Sequence, residues 1–199
     1  VSQILGSRRV EAVEVTDLRT GAVEQLACDT VVFTGDWIPD HELARRGGLV
    51  MDARTRAPRV DLALRTSSPG VFAAGNLLHG AEAADVAALC GRHAARSIDQ
   101  FLRSNEWPTR APLALRCAPP IRWVSPSAID THATPPHGHF LVRVDEFRQS
   151  TDMLVRQGDH EIWRRTYRRL VPNRSIRIPA AWLSRIALDG PEPILRLSE

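Results

Sequence analysis

Thr66-Ser-Ser-Pro-Gly-Val-Phe-Ala-Ala-Gly-Asn76 is the stretch of this chain whose residue types point most directly to chemistry. Its apolar run, residues 71–74, is bracketed by Pro69-Gly70 and by Gly75-Asn76, and a long helical pattern follows. A strand of small residues that ends in glycine and a short polar residue, just ahead of a helix, suits a nucleotide cofactor. Its backbone can approach a phosphate closely, and the helix presents free N–H groups and the positive end of its dipole. Other residues could do different chemistry. His132, His137 and His139 could hold a metal, but with no cysteine beside them and no helical H-E-x-x-H pattern they read as a solvated loop. His79 fits either a loop residue touching cofactor or substrate, or a plain surface histidine. Cys90 falls on an apolar helix face and reads as core. Trp163, Tyr167 and the pairs Arg164-Arg165 and Arg168-Arg169 read as a solvated β face with aromatic packing.

The elements that must position these residues come in three sections. Residues 8–27 alternate in period two around Thr20-Gly21 and predict a β-hairpin, and Thr30-Val-Val-Phe33 predicts a short strand running into Thr34-Gly35-Asp36. Residues 83–102 place Val86, Leu89, Cys90, Ala94, Ile98, Phe101 and Leu102 on one helical face. Gly91 inside that helix marks a close backbone contact, because an interior glycine costs about 1 kcal/mol against alanine. Seven prolines between Pro108 and Pro136 exclude a long helix there. Beyond them, short β-rich runs separated by turns such as Gln157-Gly158-Asp159 predict a small antiparallel β domain.

The eleven residues from Thr66 to Asn76 resemble the second FAD motif, T-x-x-P-G-V-F-A-A-G-D, of two-dinucleotide-domain flavoproteins such as thioredoxin reductase and the pyridine nucleotide-disulfide oxidoreductases. Residues 30–35 with Pro39-Asp40 are similar to that family's segment where the chain leaves the NAD(P)H domain and re-enters the FAD domain. The resemblance covers residues 8 to about 102. It implies a partial FAD-binding, Rossmann-like segment, which together with the small all-β C-terminal domain read above gives an expected α/β fold. With the proline-rich boundary, the expected division is 1–36, the tail of an NAD(P)H-binding domain, 37–106, the C-terminal part of an FAD-binding domain, and 107–199, a proline-rich linker and small antiparallel β domain. The resemblance implies that Gly75 lets the backbone approach FAD, that Asn76 hydrogen-bonds the ribitol, and that Glu82, Ala83 and Ala84 begin the helix facing the flavin. Gly35 and Asp36 complete the expected cofactor set. Asn76 stands where the family has Asp, and the loop at 34–39 is one residue longer than usual.

No G-x-G-x-x-G occurs, although the family binds each dinucleotide with one such loop. The chain is therefore expected to be the C-terminal portion of a longer flavoprotein, or a subunit completed by another chain, with its symmetry mate as the other expected partner. The activity implied is that of an FAD- and NAD(P)H-dependent oxidoreductase, with hydride moving between nicotinamide, flavin and an acceptor or amine substrate. The competing class is a non-catalytic assembly or regulatory module. All 26 basic residues are arginines, scattered among 23 acids for a net charge of +3, which argues against a nucleic-acid stripe. The three cysteines, far apart, fit a reducing, cytoplasmic setting, and no run of about 18 apolar residues suggests a membrane span.

Overall fold

The computed structural model describes residues 1–33, 39–80, 82–131 and 133–198. The chain forms two compact units, Val1–Asp36 and Trp37–Glu199. In the first, β1 (Gln3–Leu5), β2 (Ala12–Thr16) and β3 (Val23–Ala27) make an antiparallel sheet in the order β1-β2-β3. The β2–β3 register runs from Ala12 opposite Ala27 to Thr16 opposite Val23. Asp17 shapes the turn by accepting the Arg19 N–H at 2.8 Å, and Gly21 supplies the left-handed backbone, φ +74°, that closes it. None of residues 1–33 is buried. Residues 30–33 lie in no strand, and Val32 and Phe33 are 78% and 80% exposed. Gly35 and Asp36 fall outside the described residues.

The second unit begins with a short helix, α1 (Glu42–Arg46), and a bridged, looping stretch that leads to α2 (Ala84–Ser104). The α/β, Rossmann-like expectation is overturned: strand occupies 33% of the chain against 19% helix, in several small sheets. Residues 71–74 do not enter a sheet. Phe72 makes one isolated antiparallel bridge, to Arg65, and among the described residues no strand flanks it on the other side. An apolar run becomes a buried parallel strand only between two neighbours. Here it forms one arm of a tight turn instead, with the Thr66 N–H donating to the Val71 carbonyl at 3.0 Å and Ala73 N–H to Leu64 at 3.1 Å.

The remaining strands are β4 (Leu113–Ala114), β5 (Arg116–Cys117), β6 (Ile121–Ser125), β7 (Ala128–Ile129), β8 (His139–Val144), β9 (Arg148–Gln157), β10 (His160–Leu170), β11 (Ile176–Pro179) and β12 (Ile194–Leu197). They pair in the orders β10-β9-β12-β5, β11-β8-β6 and β4-β7, antiparallel except for β12 against β5. Their inward side chains, Phe140, Val142, Val144, Met153, Val155 and Leu195 among them, build the main core around Trp182, which stacks on Phe140 at 5.1 Å.

α2 ends on Asn105, left-handed at φ 52°, whose N–H reaches the Phe101 carbonyl at 2.7 Å. It buries Val86, Cys90 and Ala94. Leu89, Ile98 and Leu102, expected on the same face, are exposed, and nothing lies within 4 Å of a side chain built at Gly91. A 3.6-residue period brings 86, 90 and 94 into one stripe and turns 91 and 95 away from it.

Candidate cofactor-binding segment

The segment from Thr66 to Val86 is built by three local devices. Thr66 closes the turn ahead of it: its Oγ1 donates to the Val71 carbonyl at 2.9 Å and accepts the Ser68 N–H at 3.2 Å, while Gly70 takes φ +77°. Gly75 is left-handed at φ +69°, and a side chain built there would meet nothing nearer than Ala87 Cβ at 3.9 Å. Glycine is therefore demanded by the backbone angle, and the space beside it is open. Its N–H donates to Cys90 Sγ at 3.2 Å, tying the turn to α2.

Asn76 is exposed and its Nδ2 donates to the Glu82 carbonyl at 3.3 Å, closing the loop between the turn and the helix. Ala83 is the N-cap of α2 and has no side chain to cap with; Ala84 follows it on the surface. Among the described residues no side chain caps the first turn of this 21-residue helix, which also carries the positive end of its dipole. Glu82 is different. Its carboxylate pairs with Arg143 on β8, Nη2 to Oε1 at 3.1 Å, and accepts the Ser175 hydroxyl. Only its backbone remains to face a ligand. The structure thus brings Gly75, Asn76, Glu82, Ala83 and Ala84 to one place; Gly35 and Asp36 are not described.

Three residues that no sequence signal singles out hold this segment. His41, 3% exposed, donates from Nε2 to the Leu77 carbonyl at 2.8 Å. Trp123 on β6 stacks on His79, centroids 5.4 Å apart and 18° between planes, and the Arg143 guanidinium lies 5.4 Å from the same indole. His79 is buried, and burial lowers its pKa to about 4, with Glu82 pulling the other way. It is a neutral imidazole in the core. Its stacking partner Trp123 lies more than 40 residues away in the chain, so no local pattern could have announced the pair.

Burial also raises the Cys90 thiol, which accepts the Gly75 N–H here. His137 and His139 sit with ring centroids 5.5 Å apart, Nδ1 of His139 bonded to the His137 carbonyl at 2.8 Å, and His132 lies outside the described residues. Among the described residues no group of three or more metal-ligating side chains converges, and no helix is long and apolar enough to cross a membrane. Comparison with protein-family models, curated proteins and solved structures finds no match.

Proposed function

We propose that this chain contributes the flavin-facing segment of an FAD-dependent oxidoreductase that exchanges hydride with NAD(P)H and passes it to an acceptor or takes it from an amine substrate. The observation that carries the reading is the left-handed, open-sided Gly75 placed directly before exposed Asn76 and the uncapped start of α2. This donor set fits one edge of a flavin nucleotide: Gly75 gives room for close approach, the Asn76 side chain offers hydrogen bonds, and the helix N-terminus favours negative charge. FAD would supply the hydride-accepting centre. The residues here orient it and stabilise charge at one rim. Phosphate contacts of the G-x-G-x-x-G kind are not in the sequence, so another stretch of protein, in the same polypeptide or in a partner, completes the site.

The second reading, a non-catalytic module, is favoured by one observation: the Glu82 carboxylate is committed to Arg143 and Ser175, which is scaffolding rather than chemistry. Purification of the tagged protein from its native host separates the two. Visible flavin absorbance in the purified material, lost in Gly75→Val with the circular dichroism unchanged, supports the flavoprotein. Native material free of flavin overturns it and leaves the module.

A further inference from the structure

β10 is the outermost strand of its sheet, paired with β9 on one side and, among the described residues, with no strand on the other. Every second N–H and C=O along such an edge points away from the sheet and can pair with a further extended chain. One of these groups is already taken: the Arg185 guanidinium donates to the Ile162 carbonyl at 3.1 Å. Past it, among the described residues, no hydrogen bond reaches the backbone of 163–169 from outside the β9 ladder. Period two sets Arg164, Thr166 and Arg168 on one face of this edge and Arg165, Tyr167 and Arg169 on the other. Contacts fix both faces. Arg164 Nη1 and Thr166 Oγ1 donate to Asp152 at 2.7 and 2.6 Å, and the Arg165 guanidinium lies 5.5 Å from the Tyr167 ring. Arg164 is balanced by Asp152 and Glu161. Arg165, Arg168 and Arg169 are exposed and make no ion pair among the described residues.

Three cations without a counter-charge thus flank one open backbone edge, and they stand on both of its faces. A nucleic-acid backbone is tracked by a charged groove with aromatic rings free for stacking, whereas Trp163 and Tyr167 are packed against the main core. A strand added in the plane of the sheet is different: its side chains alternate above and below, each directly beside a β10 side chain on the same face. Like charges placed opposite each other are destabilising, so this edge rejects the β10 edge of a second copy and favours a strand that carries carboxylates. We propose that the β10 edge docks an acidic, extended segment of another protein as an added strand, its backbone bonded along 163–169 and its carboxylates beside Arg165, Arg168 and Arg169. The site is separate from the Gly75 segment and does not depend on flavin.

Fluorescence anisotropy of the 199-residue chain with a labelled peptide of three Glu-Glu-Val repeats tests this. The peptide should bind. Its copy N-methylated at every glutamate, equal in charge but without the N–H groups that a ladder needs, should bind at least about tenfold more weakly. Arg165→Glu/Arg169→Glu and Arg168→Glu, which alter exposed positions on opposite faces, should each weaken the unmethylated peptide by about tenfold and leave the circular dichroism unchanged. No binding of the peptide, or full affinity in either variant, would overturn the proposal. So would full affinity of the methylated copy, which is charge attraction alone, or an oligothymidylate of equal charge bound as tightly, which is a nucleic-acid surface.

Discussion

Arg143 and Glu82, 61 residues apart in the chain, meet with Nη2 3.1 Å from Oε1, and both side chains are more than nine-tenths buried. The pair fastens the start of α2 to β8. Removing one partner of a buried ion pair costs about 3–5 kcal/mol, whereas removing both can be nearly neutral. Glu82→Gln and Arg143→Met should therefore each lower the melting temperature by roughly 10 °C. The double variant Glu82→Met/Arg143→Met should recover most of that loss. Calorimetry on the three variants checks it, and a double variant as unstable as the worse single one would show that the pair is not the unit.

His79 gives the fold a defined sensitivity to acid. It is neutral in the folded state because burial holds its pKa at about 4, below the ordinary 6.5. The unfolded chain thus binds the proton first, so stability is full above pH 6.5 and declines as the pH falls toward 4. The decline amounts to about 3 kcal/mol in all. Burial also lowers His137 and His139, which contribute in the same direction. His79→Phe keeps an aromatic ring on Trp123 without the titration. Urea unfolding at a series of pH values should give a visibly flatter profile for that variant than for the parent.

Gly75→Ala separates backbone need from ligand need. With the nearest atom 3.9 Å away, an added Cβ meets no clash, and only the left-handed backbone, φ +69°, opposes it. That costs about 1 kcal/mol. The unfolding free energy should fall by that amount and no more. If the open space beside Gly75 receives a cofactor, flavin retention in natively purified protein should fall by well over the fivefold that about 1 kcal/mol represents.

Much of the local structure was legible in the sequence, and the fold was not. The β2–β3 hairpin follows from alternation around Thr20-Gly21, and α2 from its 3.6-residue period. β9 and β10 follow from runs of β-forming residues around Gln157-Gly158-Asp159. These signals act within one element. The α/β expectation failed because residues 71–74 carry the composition of a buried strand, while composition says nothing about whether neighbours exist to pair with it. The candidate site divides in the same way. Gly75 and Asn76 were visible as a local motif. The stacking of His79 on Trp123 and the pairing of Glu82 with Arg143 depend on where β6 and β8 pack, which no local pattern encodes.

Asn76 stands where the resembling motif has Asp, and the structure gives the amide a task. Its Nδ2 donates to the Glu82 carbonyl at 3.3 Å. Asn76→Asp removes that donor and sets a carboxylate against a carbonyl oxygen. The bond is long and exposed, so the loss belongs at the low end of the usual range, about 0.5 kcal/mol. A carboxylate is the stronger acceptor toward a ligand hydroxyl, by about 1 kcal/mol, which corresponds to roughly fivefold tighter flavin binding. The two effects read out separately. Denaturant unfolding of the 199-residue chain should show the small destabilisation, and flavin retained by natively purified Asn76→Asp protein should rise against a competing wash. Destabilisation with unchanged or weaker flavin retention would mean that residue 76 serves the loop alone and does not touch the ribitol.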